Sequence, residues 1–171
     1  MQYISHYCSP LGNILLASDG THLTGLWFEA QKYFAEKLDS DRKEMDSFVF
    51  QQTKSWLDMY FTGKEPGISL PIRLNGTAFQ NQVRQILSSI PYGQTMTYGQ
   101  IARVIAKQRG LSHMSAQAVG GAVGHNPISI IVPCHRVLGA DGSLTGYAGG
   151  IERKIALLHL EGISHKESGS H

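Results

Sequence analysis

A segment rich in proline and glycine divides this sequence into two parts of different character. Residues 63–76 contain two prolines and three glycines, which favour turns over a continuous helix or strand. Strand patterns precede this segment and helical patterns follow it. The sequence therefore predicts an α+β fold with two domains: a small N-terminal domain of antiparallel sheet and helix over residues 1–76, and a mostly helical C-terminal domain over residues 77–162. Residues 165–171 are polar, and residues 163–171 are predicted to form a disordered tail.

The N-terminal part carries the alternating pattern of short β-strands. Strands are predicted for residues 3–8, 13–18 and 21–28. Residues 9–12 and Asp19-Gly20 supply turn-forming residues between them, which favours an antiparallel sheet. Residues 30–46 are charged and predicted to be partly helical, and residues 48–61 place apolar side chains on one helical face.

Two capping boxes in the C-terminal part mark helix starts. Residues 77–80 and 97–100 each pair a threonine with a glutamine three positions later, so that both side chains satisfy backbone N–H groups. Apolar residues follow both boxes at helical spacing, and a third helix is predicted for residues 116–124. The second and third helices, joined by a polar turn, predict a helix-turn-helix in a winged-helix-like domain.

Two adjacent glycines, Gly120 and Gly121, lie inside the third predicted helix. Each costs about 1 kcal/mol relative to alanine. Close approach of a DNA backbone would compensate for this cost, and so would tight packing on the neighbouring helix. The sequence leaves both interpretations open.

Charge is distributed unevenly along the chain. The net charge is +2, but no Asp or Glu occurs between Glu65 and Asp141. The basic residues in that stretch are Arg73, Arg84, Arg103, Lys107, Arg109 and Arg136. Carboxylates would repel phosphates, so an acid-free stretch of this length favours a polyanionic partner over chance clustering.

The composition argues against a membrane protein and against a disulfide framework. No stretch is long and apolar enough for a membrane helix and the N-terminus lacks a signal-peptide pattern, so a cytoplasmic protein is predicted. The only two cysteines are Cys8 and Cys134, which a reducing compartment would keep as thiols. Cys8, His6 and His22 lack the paired short spacings of a zinc site, so no metal is expected.

Cys134 lies where a predicted buried strand, residues 128–132, ends. A cysteine is a nucleophile as its thiolate, which requires a neighbouring base or a positive potential. His135 and Arg136 follow Cys134 directly, and Pro133 restricts the backbone before it. From these residues, a reactive thiol and a buried structural thiol beside a surface histidine both stay open.

Several further segments surround Cys134 in a fixed order. They are Asn126-Pro127-Ile128, Pro133-Cys134-His135-Arg136-Val137, Gly146-Tyr147-Ala148-Gly149-Gly150 and Leu157-Leu158-His159-Leu160-Glu161-Gly162. Residues 77–80, 90–93 and 97–102 precede them. Together these segments resemble the active-site region of the O6-alkylguanine-DNA alkyltransferases, and the resemblance spans nearly all of residues 77–162. The N-terminal part resembles that family only loosely.

The resemblance implies direct repair of O6-alkylguanine in double-stranded DNA, with irreversible transfer of the alkyl group to Cys134 in one turnover. His135 would be the general base, acting through a water molecule, and Glu161 would orient His135. Asn126 would hold the turn before the cysteine. Tyr98 would rotate the nucleotide out of the duplex and hydrogen-bond the guanine. Activity on O4-alkylthymine stays open.

The resemblance also assigns pocket and DNA contacts. Pocket walls would come from Val132, Tyr147 and Ala148. DNA-binding positions would be Gln117, Ala118, Gly120, Gly121 and Arg136. Most relatives carry an arginine at the position of Gln117, where it fills the gap left by the flipped base, and glutamine lacks that charge. Residues 106–114 form a longer turn than usual, in which Lys107 and Arg109 would contact the DNA backbone.

The resemblance implies a monomer that works without cofactor or metal. Two other classes of function are alternatives. A non-catalytic lesion-binding protein or helix-turn-helix regulator would use the same DNA-facing surface, but relatives of that binding type replace the acceptor cysteine, which this chain retains. A cysteine hydrolase would cleave repeatedly and would not account for the acid-free stretch.

Overall fold

The computed structural model describes residues 2–31, 34–35 and 41–163. They divide into two compact units. The first comprises the chain up to Asn75 together with Pro127–Ser129, and the second comprises Gly76–Asn126 and the chain from Ile130 onward. Apart from Ile163, the predicted tail over residues 163–171 lies outside the described residues.

Within the described residues, the first unit is built on a four-stranded sheet. The strands are β1 (Gln2–Ser9), β2 (Gly12–Ser18), β3 (Leu23–Phe28) and β4 (Arg42–Glu44), in the spatial order β3-β2-β1-β4. The first three correspond to the predicted strands and pair antiparallel, with Tyr3 opposite Ser18 and Ile14 opposite Phe28. The predicted α+β class is confirmed.

Strand β4 departs from the expectation of partial helix in residues 30–46. It runs parallel to β1, with Gln2 opposite Arg42 and Ile4 opposite Glu44. All of its side chains are exposed, so no apolar alternation marks it as a strand. Residues 32–33 and 36–40 of the same segment lie outside the described part of the chain.

Helix α1 (Phe48–Tyr60) follows the sheet, as its apolar spacing predicted. The Ser47 hydroxyl caps its first turn by accepting a hydrogen bond from the Phe50 N–H group. Phe50 and Leu57 are completely buried. Burial of each such side chain stabilises the unit by about 1.5–3 kcal/mol.

The segment before Cys134 does not form the predicted strand over residues 128–132. The Leu26 N–H group donates to the Pro127 carbonyl at 2.8 Å, and a single bridge joins Leu26 to Ile128. The chain then turns, and Ile130 adopts a φ of 70°. A β-branched residue takes this left-handed conformation only under constraint, and the turn it belongs to prevents a ladder from continuing.

The second unit contains the helices α2 (Ala78–Ser88), α3 (Tyr98–Arg109), α4 (Ala116–Gly124) and α5 (Ile151–Leu160). Both predicted capping boxes form: the Thr77 and Thr97 hydroxyls accept from the backbone N–H groups three residues on, and the glutamine side chains there bond back. Gly110 ends α3 with a φ of 68°. Among the described residues, no helix combines the length and apolar character needed to cross a membrane.

Helices α3 and α4 form the predicted helix-turn-helix, and α4 also packs on α2. Two short strands, β5 (Met96–Thr97) and β6 (Val137–Leu138), pair in parallel with Thr97 opposite Leu138. Strand β6 follows directly after the turn that contains Cys134. This pairing places Tyr98, the first residue of α3, beside the chain that leaves Cys134.

Candidate active site

A histidine–glutamate pair is buried in the second unit. His135 Nε2 and Glu161 Oε2 lie 2.6 Å apart, and neither side chain is exposed. Burial lowers the pKa of His135 below its ordinary value, although the Glu161 carboxylate opposes this effect. His135 is therefore neutral at neutral pH; Nε2–H donates to Glu161, and Nδ1 keeps the lone pair that accepts a proton.

Glu161 is fixed by two further donors. Its Oε1 accepts a hydrogen bond from Arg136 Nε at 2.8 Å and from the Gly93 N–H group at 3.0 Å. Burial alone would raise the pKa of this carboxyl group, but its interactions with His135, Arg136 and Gly93 outweigh burial and lower the pKa to about 2. Glu161 is therefore ionised and held in one orientation at neutral pH.

Arg136 belongs to this buried cluster. Its side chain is 9% exposed, and Nη1 donates to the Ile90 carbonyl at 2.7 Å. The guanidinium group also lies over the Tyr92 ring, 5.7 Å from its centroid. These contacts do not support the expected contact of Arg136 with DNA. A guanidinium group that is hydrogen-bonded to a buried carboxylate has few N–H donors left for a phosphate.

Cys134 begins a single 3-10 turn, Cys134–Arg136. Its N–H group donates to the Val132 carbonyl at 2.8 Å, so the backbone folds back on itself just before the cysteine. The expectation that Cys134 ends a strand is therefore wrong. The interpretation of His135 as a surface residue beside a structural thiol is also excluded, because His135 is completely buried.

The environment of Cys134 has opposing effects on the pKa of its thiol. The residue is 4% exposed, and burial raises the pKa of its thiol. A hydrogen bond from the Asn126 side chain, the positive charge of Lys154 and the Tyr147 side chain act in the opposite direction. The resting thiol is protonated at neutral pH and requires a base to become a nucleophile.

Asn126 shapes the turn that presents Cys134. Its Nδ2 donates to the Val132 carbonyl at 2.8 Å and so closes a loop over residues 126–132. The strained Ile130 lies inside that loop, and Asn126 is 4% exposed. The structure thus brings Asn126 to both the turn and the thiol.

Lys154 is a residue of the site that the sequence reasoning missed. Its side chain, in α5, is completely buried, and Nζ donates to the Val137 carbonyl at 2.6 Å. Burial lowers its pKa to about 8, although the negative charge that Cys134 carries as a thiolate opposes this effect. One signal was available: Lys154 stands three and four residues before Leu157 and Leu158, on the apolar face of the helix.

Tyr98 is half-buried at the start of α3. Its hydroxyl oxygen accepts a hydrogen bond from Thr145 Oγ1 at 3.1 Å. Burial raises the pKa of Tyr98, the Thr145 hydrogen bond lowers it, and the negative charge of the Cys134 thiolate, once formed, raises it. On its other side, the ring lies 3.8 Å from the position that a Cβ atom would take at Gly120.

The predicted pocket residues lie in two segments next to Cys134. Val132 is completely buried, and its carbonyl accepts the Asn126 and Cys134 hydrogen bonds already described. Tyr147 and Ala148 are half-buried in a turn closed by a hydrogen bond from the Gly150 N–H group to the Tyr147 carbonyl, 2.9 Å long.

Helix α4 presents the predicted DNA-binding positions. Gln117, Ala118 and Gly121 are exposed and Gly120 is half-buried. A Cβ atom at Gly121 would meet no atom of the described residues within 4 Å, apart from its own helix backbone and chain neighbours. Packing on a neighbouring helix therefore does not explain this glycine.

The basic residues of the acid-free stretch have different environments. Arg84 is completely buried and donates to the His125 carbonyl at 3.2 Å, and burial lowers its pKa. Arg73 lies in the first unit, 2.8 Å from Asp19. The acid-free pattern therefore overstates the number of basic groups open to a polyanion.

In the helix-turn-helix, Arg103 and Lys107 are exposed. Arg109 is also exposed, but its Nε donates to Gln82 Oε1 at 2.7 Å, which ties the end of α3 to α2. Of the two residues expected to contact the DNA backbone from the turn, Lys107 is therefore the better placed.

The residues weighed for a zinc site do not form one. Cys8 is exposed, and His6 lies 2.8 Å from Glu44. His22 lies 2.8 Å from the Thr21 hydroxyl. Within the described ranges, no group of three or more His, Cys, Asp or Glu side chains is placed to hold a metal ion.

Comparison with known proteins assigns the family. The family described as 6-O-methylguanine DNA methyltransferase, DNA binding domain, matches residues 78–163, and 6-O-methylguanine DNA methyltransferase, ribonuclease-like domain, matches residues 2–74. The chain is 41% identical over 169 residues to a methylated-DNA–protein-cysteine methyltransferase of Haemophilus influenzae, covering 98% of this chain and 90% of the relative.

Solved structures agree with this assignment. The crystal structure of the Mycobacterium tuberculosis O6-methylguanine methyltransferase matches with a TM-score of 0.79 and 44% identity, covering 94% of this chain and 93% of that one. The M. tuberculosis OGT in complex with DNA matches with a TM-score of 0.80 and 43% identity, covering 93% and 92%. The chain therefore belongs to the 6-O-methylguanine DNA methyltransferase family.

Proposed function

We propose that this protein repairs DNA by direct reversal, transferring the alkyl group of O6-alkylguanine irreversibly to Cys134 in one turnover. The observation that carries the proposal is a buried thiol in the same 3-10 turn as a neutral His135, which is itself paired with an ionised Glu161. Relatives over most of the chain are named methylated-DNA–protein-cysteine methyltransferases, and one structural relative is solved with DNA. The substrate is double-stranded DNA that contains O6-alkylguanine.

Helix α4 enters the DNA groove. Its exposed residues Gln117 and Ala118, with Gly120 and Gly121, form the surface that meets the duplex, and the absence of side chains at the glycines permits close approach of the DNA backbone. Tyr98, at the start of α3, rotates the damaged nucleotide out of the stack. Extrusion costs a few kcal/mol and costs least for a badly paired lesion, which contributes to selectivity.

Gln117 takes the position that fills the gap in the duplex. Its amide hydrogen-bonds the orphaned cytosine but supplies no charge to the phosphates. The exposed Lys107 and Arg103 of α3 supply positive charge near the same helix pair.

The transfer is a displacement at the alkyl carbon. His135 Nδ1 takes the thiol proton of Cys134 through a water molecule, and Glu161 stabilises the imidazolium that forms. The sulfur–carbon bond forms as the bond from the carbon to guanine O6 breaks. Tyr98 donates a hydrogen bond to the leaving guanine, which takes up a proton, so that the thiol proton is balanced by the proton gained by guanine.

The pocket is formed by Val132, Tyr147 and Ala148. Val132 and Tyr147 form the walls, and the backbone N–H groups around Ala148 face the guanine O6 atom. Asn126 holds the loop that fixes Val132 and Cys134 relative to each other. The size of this pocket sets the preferred alkyl group.

The reaction ends after one turnover because a thioether has no easy route back to a thiol. Displacement by a thiolate requires no metal or cofactor. Every residue given a catalytic role lies in the second unit of one chain, which supports action as a monomer.

Intact-protein mass spectrometry tests the proposal. After incubation with duplex DNA that carries one O6-methylguanine, the protein is expected to gain one methyl group and to saturate at one equivalent. The Cys134→Ser variant is expected to gain none, and the matched Cys8→Ser control is expected to react like the unaltered protein. A parallel duplex with O4-methylthymine measures activity on that lesion.

A non-catalytic lesion-binding protein is the second candidate, favoured by the exposed surface of α4. It predicts tight, lesion-selective binding with no change in protein mass. That outcome would overturn the transfer reaction.

A further inference from the structure

A hydrogen bond joins two segments of the second unit that are 47 residues apart in sequence. Thr145 Oγ1 donates to the Tyr98 hydroxyl oxygen at 3.1 Å. Tyr98 begins α3, and Thr145 lies in the loop that follows β6. Thr145 was not among the residues that the sequence analysis singled out.

The main chain around Thr145 is anchored from within. The Gly139 N–H group donates to the Ser143 carbonyl at 2.9 Å, which closes the turn after β6. Leu144, next to Thr145, is 2% exposed and packs with Leu138 and Leu158. The loop therefore has a fixed position next to Tyr98.

The side chain of Thr145 is held as well. A Cβ atom at Gly139 would lie 3.2 Å from the Thr145 methyl carbon and 2.9 Å from Ser143 Oγ, so the methyl group packs closely over the Gly139 backbone. Threonine has few accessible χ1 rotamers because its Cβ is branched. With the methyl group against Gly139, the hydroxyl group has a defined direction, toward Tyr98.

The ring of Tyr98 is held on its other side by α4. It lies at van der Waals distance from the Cβ position of Gly120, and the Thr97 capping box fixes the backbone just before it. A tyrosine hydroxyl group has one hydrogen to donate and lone pairs that accept. Because Thr145 donates to the oxygen, the Tyr98 hydrogen is not used in this bond and points toward other acceptors.

We propose that Thr145 is a positioning residue for alkyl transfer, which orients the Tyr98 O–H group as a donor toward the extruded nucleotide. The inference rests on the proposed function. A donor already aimed at the substrate loses no rotational freedom when the leaving guanine develops charge, so it stabilises the transition state more than a freely rotating hydroxyl group. Thr145 therefore affects the rate of the transfer step, and it acts on the substrate only through Tyr98.

The Thr145 hydrogen bond also makes Tyr98 a stronger donor. It lowers the pKa of the phenol against the opposing effects of burial and of the charge that Cys134 carries as a thiolate. This polarisation has the same direction as the orientation effect, since both favour donation by Tyr98.

A double-mutant cycle tests the proposal. The variants are Thr145→Val, Tyr98→Phe, the double variant and Thr145→Ser. The single-turnover transfer rate is measured at saturating duplex DNA with one O6-methylguanine, and DNA affinity is measured separately. Valine keeps the branched shape and removes the hydroxyl group, whereas serine keeps the hydroxyl group and removes the methyl group that packs on Gly139.

Thr145→Val is expected to slow transfer roughly 3- to 10-fold, the range for loss of one hydrogen bond, with DNA affinity unchanged. Thr145→Ser is expected to stay within about twofold of the unaltered protein. In the Tyr98→Phe background, where no hydroxyl group remains to be oriented, Thr145→Val is expected to cause no further slowing.

Equal slowing by Thr145→Val in both backgrounds would assign Thr145 to loop structure and overturn the proposal, as would an unchanged rate in the single variant. Absence of methyl transfer by the unaltered protein is a different outcome, because it would overturn the proposed function together with this inference.

Discussion

His135 donates Nε2–H to Glu161 Oε2 across 2.6 Å, and both side chains are completely shielded from water. The hydrogen bond fixes the tautomer, because the nitrogen that faces the carboxylate must carry the hydrogen. Nδ1 is thereby the proton acceptor of the ring. A buried pair of this kind is costly to leave incomplete, since either partner alone would be a poorly solvated polar group.

Replacement of Glu161 by glutamine is expected to slow methyl transfer by roughly 10²–10⁴-fold, the usual contribution of general base catalysis. The amide cannot neutralise the imidazolium that forms when His135 takes the thiol proton. The single-turnover rate measures the effect. Glu152→Gln, a change at an exposed glutamate of α5, the helix that ends just before Glu161, is the matched control and should react normally. An unchanged rate for Glu161→Gln would exclude the pair from proton transfer.

The low pKa of Glu161 predicts acid sensitivity of the fold. The folded-state pKa is about 2 and the ordinary value is 4.5, so the unfolded chain binds the proton more readily. The contribution of Glu161 to stability is therefore present above about pH 5 and lost as the pH falls to about 2, with an upper bound of roughly 3 kcal/mol. Urea unfolding at pH 6 and pH 3 should show the loss.

The Glu161→Gln variant separates this effect from general acid unfolding. It is expected to be less stable than the unaltered protein at pH 6, and the difference should shrink at pH 3, because the unfolded chain then takes up a proton at this carboxyl group while the folded protein still holds it mostly ionised. A constant difference at both pH values would contradict the assigned pKa. Glu152→Gln should leave the pH dependence unchanged.

Local patterns predicted the helices well because their determinants are local. The capping boxes at Thr77 and Thr97 each require only a glutamine three positions later, and both boxes form. Gly110 ends α3 because glycine accepts the left-handed conformation found there. The motifs around Cys134 identified the family for a similar reason, since their order is contained in the sequence itself.

Long-range packing accounts for what the sequence did not show. The apolar run that contains Ile130 has the composition of a strand, but a hydrogen-bonded loop closed by Asn126 bends it away. Arg84 and Arg136 are basic residues of an acid-free stretch, yet both are buried against carbonyl or carboxylate partners far away in sequence. Hydropathy assigns such residues to the surface, because it contains no information on distant partners.

Loss of the cap at Thr97 is expected to weaken the fold and displace Tyr98. Thr97→Ala removes the hydroxyl group that accepts from the Gln100 N–H group, which costs about 1 kcal/mol of unfolding free energy. Thr97→Ser keeps the acceptor, and serine caps helices at least as well as threonine, so this variant should be about as stable as the unaltered protein. Urea unfolding at pH 7 measures both. Equal stability of the alanine variant and the unaltered protein would contradict the importance of the cap.

Lys154 is expected to lower the stability of the fold and to raise the reactivity of the Cys134 thiol. Its ammonium group is completely buried, with Nζ bonded to the Val137 carbonyl, and its charge lowers the pKa of the Cys134 thiol against burial. Its own pKa, about 8, is below the ordinary value of 10.5, so the folded protein binds this proton less readily than the unfolded chain. The stability of the unaltered protein should therefore rise as the pH increases from about 8 to about 10.

Lys154→Met keeps most of the side-chain volume and removes the charge. The variant is expected to be as stable as the unaltered protein or more stable at pH 7, because a buried charge is lost. Its thiol should react more slowly at pH 7, because loss of the positive charge raises the pKa of the Cys134 thiol further. The difference should shrink above about pH 9, where the lysine of the unaltered protein is largely neutral.

The rate of Cys134 alkylation by iodoacetamide, followed by mass spectrometry from pH 6 to pH 10, measures this reactivity without DNA. The background is Cys8→Ser, because Cys8 is exposed and would react as well. Lys64→Met, a change at an exposed lysine of the first unit, is the control. Equal rates for Lys154→Met and the control across this pH range would show that the buried charge does not act on the thiol. Slowing confined to the lower pH values would show that the charge of Lys154 lowers the pKa of the Cys134 thiol.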